Sequence, residues 1–127
     1  MSTITRTAAL AFGADALLVL VFVLIGRASH DENPVLGALV TYWPFAVGLV
    51  IGWVASRGWK APLALARTAV PIWVCTVAIG MLLRAASLQG IQLSFVIVTT
   101  VVLAVFLVGW RAIARLARGI RSRRQAA

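Results

Sequence analysis

Acids, cysteine and histidine are nearly missing from this chain: 127 residues hold three acids, one cysteine and one histidine. The lone Cys75 cannot close an internal disulfide, and inside an apolar run it reads as a small packing residue. His30 stands without a CxxC pair, a second histidine or a set of acids at ligand spacing, so a protein-only zinc site or an EF-hand lacks its ligands. There is no glycine-rich phosphate loop and no paired nucleophile and base. No cofactor and no metal are therefore expected, and the chain is not expected to be an enzyme. Charged residues make up only 12% of the whole.

What is present is apolar. Hydrophobic residues are 62% of the chain, too many for a soluble domain of this length to bury. They gather in four blocks, at about 7–26, 35–55, 61–83 and 91–110, each close to the ~20 residues that carry a helix across ~30 Å of hydrocarbon. The blocks are continuously apolar rather than alternating, which excludes a β-barrel. The fold expected is all-α, a four-transmembrane-helix bundle forming one domain over 1–127. The first block is not read as a signal peptide, because it is long, Asp15 interrupts it and Arg27 follows at once.

The few charges are placed at block edges. Twelve Arg and Lys give a net charge of +9. Arg6, Arg57, Lys60, Arg67, Arg111, Arg115, Arg118, Arg121, Arg123 and Arg124 fall on one side of the expected membrane, and only Arg27 and Arg84 on the other. The positive-inside rule then puts both termini in the cytoplasm. Trp53, Trp59 and Trp110 fall near the same inner interface, as aromatic belts do. Edge charge of this kind argues against nucleic acid as a partner. The tail 111–127 has Arg111, Arg115 and Arg118 on one helical face and Ile113, Leu116 and Ile120 loosely opposite. That pattern predicts a basic amphipathic extension on the membrane surface, with Arg111, Arg115, Arg118, Arg121, Arg123 and Arg124 touching anionic headgroups. Topology-setting charge explains most of the same pattern.

Inside the membrane, Asp15 carries the most information. An unpaired acid at a helix centre costs ~2.5–3.5 kcal/mol on insertion scales, so a partner is expected. Arg67 is the predicted one. The run 68–83 is only about 24 Å long as a helix, so the third helix must draw in Arg67. With starts near residues 61 and 7, Arg67 lies ~9 Å deep and Asp15 ~12 Å deep. A structural Asp15–Arg67 ion pair is favoured over a proton or cation site. Gly48 and Gly52 form a GxxxG pair, and Thr76 and Gly80 a second set of small residues, all read as helix-packing positions; the partner helix is left open between this chain and another. Pro44 and Pro71 are expected to weaken or kink their helices. At the outer edge, Arg27, His30, Asp31, Glu32 and Arg84 can form a polar cluster for a lipid headgroup or a partner loop; solvated edge charge is the plainer reading.

These residues together resemble a known family. The set runs through Asp15, Phe22, Gly26-Arg27-Ala28-Ser29-His30, Trp43-Pro44-Phe45, Gly48 and Gly52-Trp53. It continues with Trp73, Thr76-Val77-Ala78-Ile79-Gly80-Met81, Leu83-Arg84, Ser94-Phe95 and Gly109-Trp110-Arg111. Over about residues 12–111 the chain is similar to small four-helix bacterial membrane proteins, best known in actinobacteria and described only as a domain of unknown function. The resemblance implies the four-helix layout and no activity. The function expected is that of a non-catalytic accessory or assembly subunit of a larger inner-membrane complex, for which a cell-envelope lipid transporter is a fitting host. The alternative is a small proton-coupled transporter acting as a homodimer, for which Asp15 would carry the proton.

Overall fold

The computed structural model describes residues 3–27 and 34–126, the side chains of Ile4, Arg27 and Pro34 aside. Its main elements are α1 (Thr3–Arg27), α2 (Pro34–Ser56), α3 (Val70–Ala86) and α4 (Leu93–Ala126). No strand occurs among the described residues. Among the described residues, four helical spans are long and apolar enough to cross a membrane, the third of them Leu65–Ala86, which takes in the turn before α3, so the all-α, multi-pass expectation stands.

Lipid is as apolar as leucine, so a bundle in it is held by close packing and polar bonds rather than by hiding apolar surface. The α2 and α3 helices approach closely, and glycine allows it. A Cβ on Gly48 would lie 2.7 Å from the Cys75 carbonyl oxygen, and one on Gly52 would lie 2.8 Å from the Ile72 Cα. Gly80 on α3 receives the Phe45 ring in the same way. Thr76 is buried on this seam, its hydroxyl donating to the Ile72 carbonyl at 2.7 Å. The small-residue stripe left open by the sequence therefore packs within this chain.

The expected third helix, from about 61, begins later. Residues 57–69 form a folded segment instead: a left-handed Arg57 (φ 52), a 3₁₀ turn Gly58–Lys60, a bend, and a π turn Leu65–Ala69. The carbonyls that would start a helix at 61 are drawn off. The Ala61 oxygen accepts from the Ala64 N–H (3.1 Å) and the Thr68 hydroxyl (2.6 Å), and the Pro62 oxygen accepts from Arg111. Pro71 sits in the first turn of α3, directly after the π turn. The wider turn passes the chain over a residue that has no N–H to give. Pro44 lies inside α2, which continues through it.

The fourth helix runs unbroken from Leu93 to Ala126. Its inward stripe is Thr99, Leu103, Leu107 and Arg111, one residue per turn, and Arg111 is its last buried residue.

Candidate functional site

Asp15 lies on α1, facing inward with Ala11, Val19 and Phe22 at helical spacing. Its carboxylate is fully buried, and so is the guanidinium of Arg111 on α4. The two meet side by side: Nη1 of Arg111 donates to Oδ1 at 2.8 Å and Nη2 donates to Oδ2 at 2.7 Å. Two indoles complete the set. Trp53 of α2 donates its Nε1–H to Oδ2 at 2.8 Å, and Trp110 of α4 donates its own to Oδ1 at 2.8 Å. Each carboxylate oxygen thus accepts two bonds from charged or strongly polar donors, the short, strong class of hydrogen bond.

The arginine is held as firmly. Its Nε donates to the Pro62 carbonyl at 2.7 Å and Nη1 to the Leu107 carbonyl at 2.9 Å. The guanidinium carbon lies 4.8 Å from the centre of the Trp110 ring, a cation–π distance. Trp53 is fixed from behind, because Gly58 presents no side chain where a Cβ would come within 2.5 Å of the indole. Phe12 meets the same indole edge-on at 5.5 Å between centroids. One clamp therefore joins α1, α2, α4 and the 57–69 segment.

Arg67 is not the partner of Asp15. It lies exposed on the π turn. The expected depth of Arg67 requires a regular helix from residue 61; without that helix, Arg67 has neither the face nor the depth that would bring it to Asp15. Arg111 is likewise not an anionic-lipid contact. It belongs to the inward stripe, while Arg115, Arg118, Arg121, Arg123 and Arg124 beyond it are exposed. A signal for this was present: the spacing 99, 103, 107, 111 carries one helical face straight past the end of the apolar run.

At the other end of the bundle, Arg84 turns onto its own loop. It donates to the Gln89 side chain at 3.0 Å and lies over the Phe95 ring at 4.5 Å. His30, Asp31 and Glu32 of the expected outer cluster lie outside the described residues, as does the side chain of Arg27. Among the described residues, no group of three or more His, Cys, Asp or Glu side chains could hold a metal ion.

The clamp's four side chains, Asp15, Trp53, Trp110 and Arg111, all belong to the residues on which the family resemblance rests. A family model described as "Protein of unknown function (DUF3054)" matches residues 12–114. The chain belongs to the DUF3054 family. The DUF3054 match takes in the whole clamp and ends three residues beyond Arg111, leaving 115–126 of α4 outside it. Neither the curated proteins nor the solved structures contain a match to the chain.

Chemically, the clamp is a lock. The carboxylate's oxygens are taken by four hydrogen bonds from the same chain, and these bonds tie α1, α2 and α4 together.

Proposed function

We propose that this chain is a non-catalytic accessory or assembly subunit of a larger complex in a bacterial cytoplasmic membrane, with both termini in the cytoplasm. The observation that carries the reading is α4 beyond Arg111. The helix continues for roughly four turns, about 22 Å, past its last buried residue. There it presents Ile113, Leu116 and Ile120 exposed among arginines. Among the described residues, these side chains are not part of the hydrophobic core or packed against it. A basic amphipathic helix of this kind suits a partner's cytoplasmic surface or the anionic lipid around it. The excess of Arg and Lys at this end supports the cytoplasmic orientation, and a cell-envelope lipid transporter would be a fitting host.

The clamp weighs against the alternative, a proton-coupled homodimeric transporter. That reading needs Asp15 to exchange a proton, and the bonds described above occupy it. The test is copurification of the chromosomally tagged protein in mild detergent, with and without residues 112–127. A stoichiometric larger membrane protein, lost on truncation while the bundle still inserts, is the expected result. Recovery of the full chain as a clean homo-oligomer, with proton-coupled uptake abolished by Asp15→Asn, would replace this reading with the transporter.

A further inference from the structure

Beneath the clamp, α1, residues 61–64 and α4 line an open, shallow groove in two parts. The wider part, about 430 Å³, has Thr7, Leu63, Arg115 and Arg118 in its walls. The narrower part, about 190 Å³, shares Thr7, Leu63 and Arg118 and continues between Leu10, Trp110 and Ala114. The shared walls make this one groove, basic at one end and apolar at the other.

Among the described residues, no acid side chain neutralises the charge at its mouth: Asp15 is the one described acid, and Arg111 holds it. Arg115 and Arg118 share one face of α4, one and two turns past Arg111. A basic mouth continuous with an apolar limb between membrane helices matches an anion attached to a hydrocarbon chain.

We infer that this groove binds one anionic phospholipid, its phosphate between Arg115 and Arg118 and the start of one acyl chain along Leu10, Trp110 and Ala114. The inference rests on the reading that this end faces the cytoplasmic leaflet. It replaces a diffuse basic tail with a defined site, and it separates the arginines: Arg115 and Arg118 bind in the groove, whereas Arg121 and Arg123 do not line it.

The test is native mass spectrometry of the full chain in mild detergent, titrated with phosphatidylglycerol, phosphatidylcholine and inorganic phosphate. One phosphatidylglycerol per chain is expected to be retained in preference to phosphatidylcholine, and millimolar phosphate should not displace it. The double variant R115Q/R118Q should weaken retention about tenfold or more. Ala114→Trp, which fills the apolar limb and keeps every charge, should weaken it as well. R121Q/R123Q should leave it unchanged. Equal loss in R121Q/R123Q would overturn the site in favour of diffuse charge. Equal retention of phosphatidylcholine, or no effect of Ala114→Trp, would overturn it too. Displacement by phosphate would make the ligand a soluble anion rather than a lipid. Labelling of an Ala126→Cys variant in intact cells reads the orientation separately, since binding in detergent does not depend on it.

Discussion

The two ends of this bundle are held by opposite means. Towards the α1–α2 connection, Phe22, Phe45 and Phe95 pack ring against ring, with centroids 5.9 to 6.4 Å apart, and Gly80 makes room for one of them. Towards the 57–69 segment, a buried carboxylate and guanidinium are bonded to two indoles and two carbonyls. The aromatic end depends on shape, and its losses should be graded. The polar end depends on complete satisfaction of charge, and its losses should be abrupt, because removing one member leaves another buried without a partner.

The sharpest break in that comparison is a single change at the clamp. Asp15→Leu or Arg111→Met should each destabilise the bundle by about 3–5 kcal/mol, read as denaturant unfolding in detergent. The double variant D15L/R111M should recover most of the loss, since apolar residues of similar volume often replace a buried pair without cost. The charge swap D15R/R111D should not recover it. Trp53 and Trp110 would then aim N–H donors at a cation, and the Pro62 and Leu107 carbonyls would face a carboxylate. Recovery by the swap would show that charge alone, not the surrounding dipoles, holds the site.

Next in size come the glycines of the α2–α3 seam, which serve both ends. Gly48→Ala puts a methyl 2.7 Å from a backbone oxygen that cannot step aside, and Gly52→Ala meets the Ile72 Cα at 2.8 Å. Each should cost about 1–3 kcal/mol as the helices are forced apart. Gly109→Ala is the control, since nothing lies within 4 Å of a Cβ there. A loss at Gly109 equal to that at Gly48 would mean that the seam is not what the glycines provide.

How far the sequence could be read follows the same division. The four spans, the packing glycines and the need for a partner to Asp15 were legible, because span length, small-residue spacing and the cost of a buried acid are properties of local sequence. The identity of the partner was not. Choosing Arg67 requires knowing where the third helix starts, and that start is set by side-chain bonds that helix periodicity does not encode: the Arg111 guanidinium, 49 residues away, takes the Pro62 carbonyl, and the Thr68 hydroxyl takes that of Ala61. Arg111 follows Trp110, the last residue of the apolar run, and run length alone assigns it to the tail. Its helical phase, three turns below Thr99, placed it inside.

Within the clamp, the two indoles are a finer probe. Trp53→Phe and Trp110→Phe each remove one N–H donor from the Asp15 carboxylate and keep an aromatic ring. A bond to a charged group is worth about 1.5–3 kcal/mol. Trp53 is buried and Trp110 only partly so, hence Trp53→Phe should be the costlier of the two. The reverse order would place the stronger bond on the more exposed indole.

The smallest expected effect has the opposite sign. Thr99 lies on the inward stripe of α4, one turn below Phe95, between the two ends. Its hydroxyl is buried without a hydrogen-bond partner, whereas Thr100 beside it donates to the Val96 carbonyl at 2.7 Å and Thr76 donates to Ile72. A buried hydroxyl with no partner costs stability, and valine keeps the branched shape without it. Thr99→Val should therefore be neutral or stabilise the bundle by about 1 kcal/mol, while Thr76→Val gives up a bond already made and should not gain. Measured side by side in the same detergent unfolding assay, the two substitutions separate shape from bonding at the middle of the bundle. A loss at Thr99 would show that its hydroxyl does have a partner in the membrane, and would extend the polar end's manner of holding up to the edge of the aromatic one.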